Sequence, residues 1–278
     1  MNKPPPSLES LLKLLTDEDD IARVAMVQLL CQYGHESDEI LLQLQECDNP
    51  ILRKRSHQMQ ALLTFKQRRF DFFNILHRRN CQFMLGDILQ MMHLIWFDQD
   101  SSGELEKIYI DLLKTYPLNE RKSLVTLADF MKNHQFIAFP DSTANGNHFM
   151  LGAVIDSQNG SCSFFAALML AINEALALNL ELQIINFEGR FYIYSPGENL
   201  LCDILSHWQL KKLNFSNYRI YDHIQLLKFM ISLCFCNAVH SDSFRYIQII
   251  GELLSPANNT QSLPFPYGGM NTAKTQDA

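Results

Sequence analysis

One stretch constrains the fold more than any other: a cysteine that directly precedes a long apolar run. The residues Gly160-Ser161-Cys162-Ser163-Phe164-Phe165-Ala166 lead into the apolar run of residues 167–178. This pattern predicts a buried helix with a thiol at its start, in a run too short to span a membrane. A helix N-terminus presents free N–H groups and the positive end of its dipole, which favour the thiolate. The stretch therefore predicts a cysteine active site, either functional or lapsed.

Short strands follow the predicted helix. Residues 182–187, 189–194 and 200–204 are rich in Ile, Leu, Phe and Tyr and are separated by turn residues. We expect an α+β protein, predominantly helical, in which one central helix packs on a small antiparallel sheet. Before this core, residues 136–139 are expected to be extended. The polar residues 141–148 are expected to form an irregular loop beside the active-site cleft.

The sequence predicts two helix–turn–helix units in the N-terminal region. In the second, the turn Asp48-Asn49-Pro50 separates apolar residues 40–45 from a helix that starts at residue 51. The repeated turn chemistry resembles HEAT-type repeats, which we expect over residues 1–66. Two units are too few to stand alone, so their inner face must pack against another part of the chain.

Helical periodicity continues on both sides of the core. Residues 67–223 are predicted to form one domain, with a helical part over residues 67–150 and a catalytic-type core over residues 151–223. Residues 226–238 and 244–254 are predicted helices, and residues 224–256 resemble a tetratricopeptide-like helical hairpin. The remaining residues, 257–278, lack periodicity and are expected to be a disordered tail.

Composition excludes several classes of partner. The net charge of −7 provides no basic field for nucleic acid or anionic lipid. The chain has no apolar N-terminal segment typical of a signal peptide and no run long enough for a membrane span. Seven cysteines without paired spacing indicate reduced thiols and a cytoplasmic location. Metal-ligand spacings and glycine-rich phosphate loops are absent, so we expect neither a metal nor a cofactor.

Two motifs of the core carry a family resemblance. The pattern Gly160-x-Cys162-x-x-x-Ala166 before a long helix resembles the transglutaminase-like superfamily of papain-type cysteine proteins. The strand Asn186-Phe187-Glu188-Gly189-Arg190-Phe191 resembles the bacterial Sir-B-type branch, in which this strand carries Asn-Phe-Pro-Gly-His-Phe. The flanking helical regions occur in the same order, so the resemblance covers residues 68–256.

This resemblance implies three catalytic positions. Cys162 stands at the nucleophile, Arg190 stands where the family has its general-base histidine, and Asp203 stands at the orienting aspartate. A guanidinium stays protonated, so it cannot take up and return the proton that acyl transfer requires. That proton transfer contributes roughly 10²–10⁴ in rate, which a recruited histidine, His148 or His207, would have to supply.

Simpler interpretations remain for these positions. Cys162 would be a small buried apolar residue, Arg190 would be an inward charge paired with Asp203, and the two histidines would be ordinary loop residues. We therefore carry two hypotheses. The favoured one is a non-catalytic member that binds a protein partner. The other is a cysteine hydrolase or amide-acyl transferase that uses Cys162, Asp203 and a recruited histidine.

Overall fold

The structure, a computed structural model, describes residues 41–46, 48–78 and 83–254. In this part the protein is α+β and predominantly helical, with a small antiparallel sheet, as predicted. The chain divides into two compact units, residues 1–70 and 71–278. Most of the predicted HEAT-like region (residues 1–40) and the predicted disordered tail (residues 257–278) lie outside the described residues.

Helices dominate both ends of the described chain, and the strands lie between them. The helices are α1 (Pro50–Arg78), α2 (Leu85–Trp96), α3 (Ser102–Lys114), α4 (Leu124–Asn133), a 3-10 helix (Gly146–Phe149), α5 (Leu151–Ser157), α6 (Cys162–Ala175), α7 (His223–His240) and α8 (Phe244–Leu254). The strands are β1 (Ile137–Phe139), β2 (Asn159–Ser161), β3 (Gln183–Phe187), β4 (Arg190–Ser195), β5 (Leu200–Asp203), β6 (Gln209–Lys211) and β7 (Arg219–Tyr221).

The first unit contains a predicted turn that the structure confirms. Residues 41–45 are helical, and α1 begins at Pro50, where a missing N–H is tolerated. The Asn49 side chain accepts a hydrogen bond from the Ile51 N–H at 3.0 Å, which caps the helix. Helix α1 continues without a break past residues 66–67, where the sequence placed a domain boundary.

The main sheet has five strands in the order β6-β5-β4-β3-β7, and every neighbouring pair is antiparallel. The three strands predicted after the central helix are all present, as β3, β4 and β5. Two short edge strands, β6 and β7, lie in residues 208–221, a mixed and polar segment for which the sequence gives no clear prediction. They form because each pairs with a strongly apolar strand. The residues of a short polar segment do not indicate such a pairing by themselves.

Helix α6 is the centre of the second unit. It packs against α2, α7 and β4, and ten of its residues, from Cys162 to Ile172, are buried. A helix with apolar residues on every side is typical of a core position. None of the described helices is both long and apolar enough to cross a membrane.

A parallel strand pair fixes the start of α6. Strand β1 pairs with β2, and Ala138 lies opposite Gly160 directly before the helix. Strand β2 was not predicted, because Asn-Gly-Ser is typical of a turn rather than a strand. The indole N–H of Trp208 donates to the Phe136 carbonyl oxygen at 3.0 Å, which ties this pair to the end of the β5–β6 connection.

Substitution of Gly160 tests how closely this strand pair packs. A methyl group at Gly160 would lie 2.9 Å from the Phe165 ring and 3.0 Å from Val154 Cγ1. We expect Gly160→Ala to lower the free energy of unfolding by about 1–3 kcal/mol through overpacking. The measurement is urea denaturation of the full chain. The matched control is Gly197→Ala, where a new methyl group has no atom within 4 Å, and equal effects at both positions would contradict this account.

Candidate functional site

Cys162 is the first residue of α6, where the sequence predicted it. The preceding residue, Ser161, has extended backbone (φ −75°, ψ 156°) and caps the helix. Its hydroxyl oxygen accepts a hydrogen bond from the Phe164 N–H at 3.0 Å. Within the Gly-Ser-Cys motif, β2 ends at Ser161, which also caps the helix, and α6 begins at Cys162.

The thiol of Cys162 is closed off from solvent. The residue is 1% exposed, and its Sγ donates a hydrogen bond to the Phe191 carbonyl oxygen at 3.2 Å. Burial, reinforced by the nearby carboxyl of Asp141, raises the pKa of this thiol well above its usual value. The expectation of an easily ionised thiol is therefore wrong. A helix dipole contributes up to about 2 kcal/mol, whereas removing an ion from water costs several kcal/mol.

Asp141 is the residue of this site that sequence reasoning missed. One of its carboxyl oxygens, Oδ1, accepts from the Ser163 N–H at 3.1 Å and from the Ser163 hydroxyl at 2.5 Å. The other oxygen, Oδ2, is buried and has no hydrogen-bond partner. Burial raises the pKa of Asp141, and the hydrogen bonds from Ser163 offset part of that rise. The predicted loop 141–148 thus begins directly beside the start of α6.

These contacts occupy two backbone donors at the start of α6. A tetrahedral intermediate is stabilised by free N–H groups aimed at the developing oxyanion. In this site the N–H of Ser163 is bound to Asp141 and the N–H of Phe164 is bound to Ser161. The two serine hydroxyls also contact each other, at 3.2 Å. The N–H groups of Ser163 and Phe164 are therefore already bound within the protein.

Among the described contacts, neither Arg190 nor Asp203 hydrogen-bonds to the Cys162 thiol, although the Asp203 carboxyl contributes to the raised pKa of that thiol. Asp203 lies opposite Tyr192 in the β4–β5 register, so both side chains are on one face of the sheet. Arg190 is exposed and, two residues before Tyr192, belongs to that same face. Phe191, whose carbonyl binds the thiol, presents its side chain to the opposite face, against Phe229 of α7.

The expected ion pair between Arg190 and Asp203 is also wrong. Asp203 Oδ2 pairs with Lys211 Nζ at 2.7 Å, and Asp203 Oδ1 accepts from the Ser206 N–H at 3.3 Å. Lys211 lies 5.1 Å from the centre of the Tyr192 ring, a cation–π contact. The pairing follows from strand β6, which sequence reasoning did not predict and which brings Lys211 next to β5.

An apolar cluster covers the face of the sheet that carries Asp203. Its buried members are Ile185, Tyr192 and Leu201. Residues of the 212–218 connection pack against it, and Phe187 stacks on Phe215 with ring centres 4.2 Å apart. Asp203 lies opposite Tyr192, a member of this cluster.

Neither candidate histidine hydrogen-bonds to Cys162. His148 Nδ1 accepts from the Asn145 N–H at 3.2 Å, and its ring stacks on Phe139 at 4.8 Å. His207 is exposed in the turn after β5. His148 therefore belongs to the 3-10 helix Gly146–Phe149 and His207 to a turn.

Four of the seven cysteines lie in the described part of the chain. Cys162, Cys202, Cys234 and Cys236 are free in the described part of the chain. The same part contains no group of three or more His, Cys, Asp or Glu side chains arranged to hold a metal ion. The remaining cysteines, Cys31, Cys47 and Cys81, lie outside the described residues.

Comparison with known proteins finds no matching family model, no matching curated protein and no matching solved structure.

The buried thiol predicts a specific alkylation pattern. We expect iodoacetamide to modify the exposed Cys236 at least about tenfold faster than Cys162, because the thiolate is the reactive species and access is required. Site-resolved mass spectrometry of the folded chain between pH 6 and 9 gives both rates. A Cys162→Ser variant identifies the peptide. Fast modification of Cys162 with an apparent pKa below that of a free thiol would contradict the burial of this side chain.

The carboxyl of Asp141 predicts a pH-dependent stability difference. Its pKa is raised in the folded state, so the folded chain binds more protons than the unfolded chain above the unfolded value of about 3.9. This group's contribution to stability therefore falls as pH rises from about 4 towards neutrality. Asparagine keeps an oxygen for Ser163 without a charge. We expect the free energy of unfolding of Asp141→Asn, minus that of wild type, to increase from pH 4 to pH 7.

The measurement is urea denaturation at several pH values. The matched control is Asp156→Asn at an exposed carboxyl, which should give a smaller change with pH. A difference for Asp141→Asn that stays constant across this range would show that the Asp141 carboxyl does not titrate abnormally.

Proposed function

We propose that this protein is a catalytically silent transglutaminase-like protein that acts as a protein-binding or scaffold module. One observation carries the proposal. At the position of the family nucleophile, the Cys162 thiol is buried and donates to the Phe191 carbonyl oxygen. A protonated thiol in such a bond is a structural group.

The rest of the site supports loss of catalysis. The position of the family histidine holds Arg190, which cannot act as a base and is exposed on the sheet face away from the Phe191 side chain. The position of the orienting aspartate is committed to Lys211. The alternative, a cysteine hydrolase or amide-acyl transferase, would require opening of the Cys162 environment and movement of a histidine to the thiol. The described contacts therefore favour the first hypothesis.

The proposal includes a finer architecture. Residues 1–66 would form HEAT-like hairpins, the core would have transglutaminase-like topology, and residues 224–256 would form a tetratricopeptide-like hairpin. Support comes from the cap at Asn49 and from the packing of α7 on α8. Helical repeats generally bind protein partners along extended surfaces. Free thiols support a cytoplasmic location as part of the same proposal.

The test of lost catalysis compares the full chain with its Cys162→Ser variant. Both proteins are assayed for ammonia release from glutamine peptides, for amine incorporation and for thiol-ester hydrolysis. We expect both rates to equal the background, because a silent site loses nothing when its sulfur is removed. Turnover that disappears in the variant, or an acyl adduct on Cys162 detected by mass spectrometry, would overturn the proposal.

The test of partner binding uses the same two proteins. Candidate partners recovered by the immobilised full chain from its own cells are purified and titrated calorimetrically. We expect a specific partner to bind wild type and Cys162→Ser with equal affinity. If no purified candidate binds either protein, the binding-module part of the proposal is wrong.

A further inference from the structure

Residues 212–218, which we call the strap, cross one face of the main sheet. They connect β6 to β7, and these two strands are the opposite edges of the sheet. The four spacings between neighbouring strands amount to about 19 Å. The eight Cα steps from Lys211 to Arg219 reach at most about 28 Å. The strap therefore has little slack and runs extended across β5, β4 and β3.

The strap presents an apolar side to the sheet and a polar side to solvent. Three of its residues are half-buried and pack against the apolar cluster of Ile185, Tyr192 and Leu201; they are Leu213, Phe215 and Tyr218. The other four are exposed, and they are Lys212, Asn214, Ser216 and Asn217. The strap therefore buries part of the sheet face and keeps its polar side chains in water.

Phe215 makes the principal contact between the strap and the sheet. Its ring stacks on Phe187 with centres 4.2 Å apart, and its centre lies 5.6 Å from that of Tyr192. Aromatic pairs of this kind stabilise a structure beyond the area that they bury. Among the described residues, both ring contacts that join the strap to the sheet belong to Phe215. One side chain therefore provides all of the aromatic attachment.

The strap lacks the hydrogen bonds that hold the strands of the sheet. All of residues 212–218 are described, and none of them forms a hydrogen bond to the sheet beneath. Each strand, in contrast, belongs to a ladder of backbone hydrogen bonds with its neighbour. Release of the strap therefore breaks apolar and aromatic contacts alone, whereas release of a strand also breaks a ladder.

We propose that the strap opens as a local unit while β3, β4 and β5 stay folded. A segment with few buried side chains and no ladder opens at a lower free energy than the core of the same domain. Opening uncovers Ile185, Tyr192 and Leu201, so the strap controls access to this cluster. The inference is independent of the role of Cys162 and does not rest on the proposed function.

Two substitutions in one strand test this opening. Ile184 and Ile185 are neighbours in β3 and at most 1% exposed, but their side chains lie on opposite faces of the sheet. Ile185 lies under the strap, whereas Ile184 lies opposite Ile193 on the other face. Iodoacetamide modification of the full-length variants Ile185→Cys and Ile184→Cys is followed by site-resolved mass spectrometry at low urea concentrations. We expect the thiol of Ile185→Cys to react at least about tenfold faster than that of Ile184→Cys.

The dependence on urea separates local opening from unfolding of the sheet. Local opening exposes little surface, so the rate for Ile185→Cys should change little with urea. The native Cys202 is fully buried and lies opposite Ile193, on the face of Ile184, so it reports unfolding of the sheet in every variant. Its modification should stay slow and rise steeply with urea. Equal rates with the same urea dependence for Ile185→Cys and Ile184→Cys would overturn the proposal, because the strap would then open only with the sheet.

Removal of the Phe215 ring tests the attachment of the strap. In the Ile185→Cys background, we expect Phe215→Ser to raise the modification rate about tenfold further, because both ring contacts with the sheet are lost. The matched control is Asn214→Ser at an exposed strap position, which should leave the rate unchanged. The Cys202 rate should stay the same in both variants. If Phe215→Ser accelerates Cys202 as much as the thiol of Ile185→Cys, or accelerates neither, the proposal is wrong.

Discussion

The second unit depends on how the buried start of α6 satisfies its polar groups. The first N–H groups of a helix have no partner within the helix, and burial removes water as an alternative. Ser161 and Asp141 accept from two of these groups, and the Phe191 carbonyl oxygen accepts from the thiol. Each such hydrogen bond contributes about 1 kcal/mol to stability. A buried donor or acceptor left without a partner costs about 1–3 kcal/mol. The loop after β1, strand β2 and strand β4 each supply one of these partners.

The same arrangement decides the chemistry of the cysteine. Position at a helix start favours a thiolate, but the field of a helix terminus is weak compared with the cost of burying an anion. Beside Asp141, whose carboxyl adds negative potential, the thiol keeps its proton. A reactive cysteine needs a helix start together with water access or a cation. Arg190 of β4 and Lys211 of β6 are basic, but both belong to the face of the sheet that carries Asp203.

Sequence reasoning predicted the central elements and failed where long-range pairing decides. The helix at Cys162 and strands β3 to β5 are apolar enough for local pattern to identify them. Strand β2 and strand β6 are short and polar, and exist because β1 and β5 offer them a partner. The error at Asp203 has the same cause, since Lys211 becomes its partner only through the β5–β6 register. Asp141 was missed because its partner, Ser163, is 22 residues away in sequence. The pairing of Asp203 with Lys211 also means that a motif match alone does not establish a triad.

The cap of α6 by Asp141 has a consequence for how the chain folds. A helix whose first turn is completed by a residue 22 positions earlier cannot close its start from local sequence alone. The intervening chain must first form a loop, and the Trp208 bond to Phe136 closes another across 72 residues. Closing these loops costs conformational entropy before the contacts are made. Contacts between residues so far apart in sequence raise the contact order and therefore slow folding. Residues 151–223, the predicted catalytic-type core, do not include Asp141 or Phe136. The start of their central helix is therefore completed only when the preceding strand and loop have joined it.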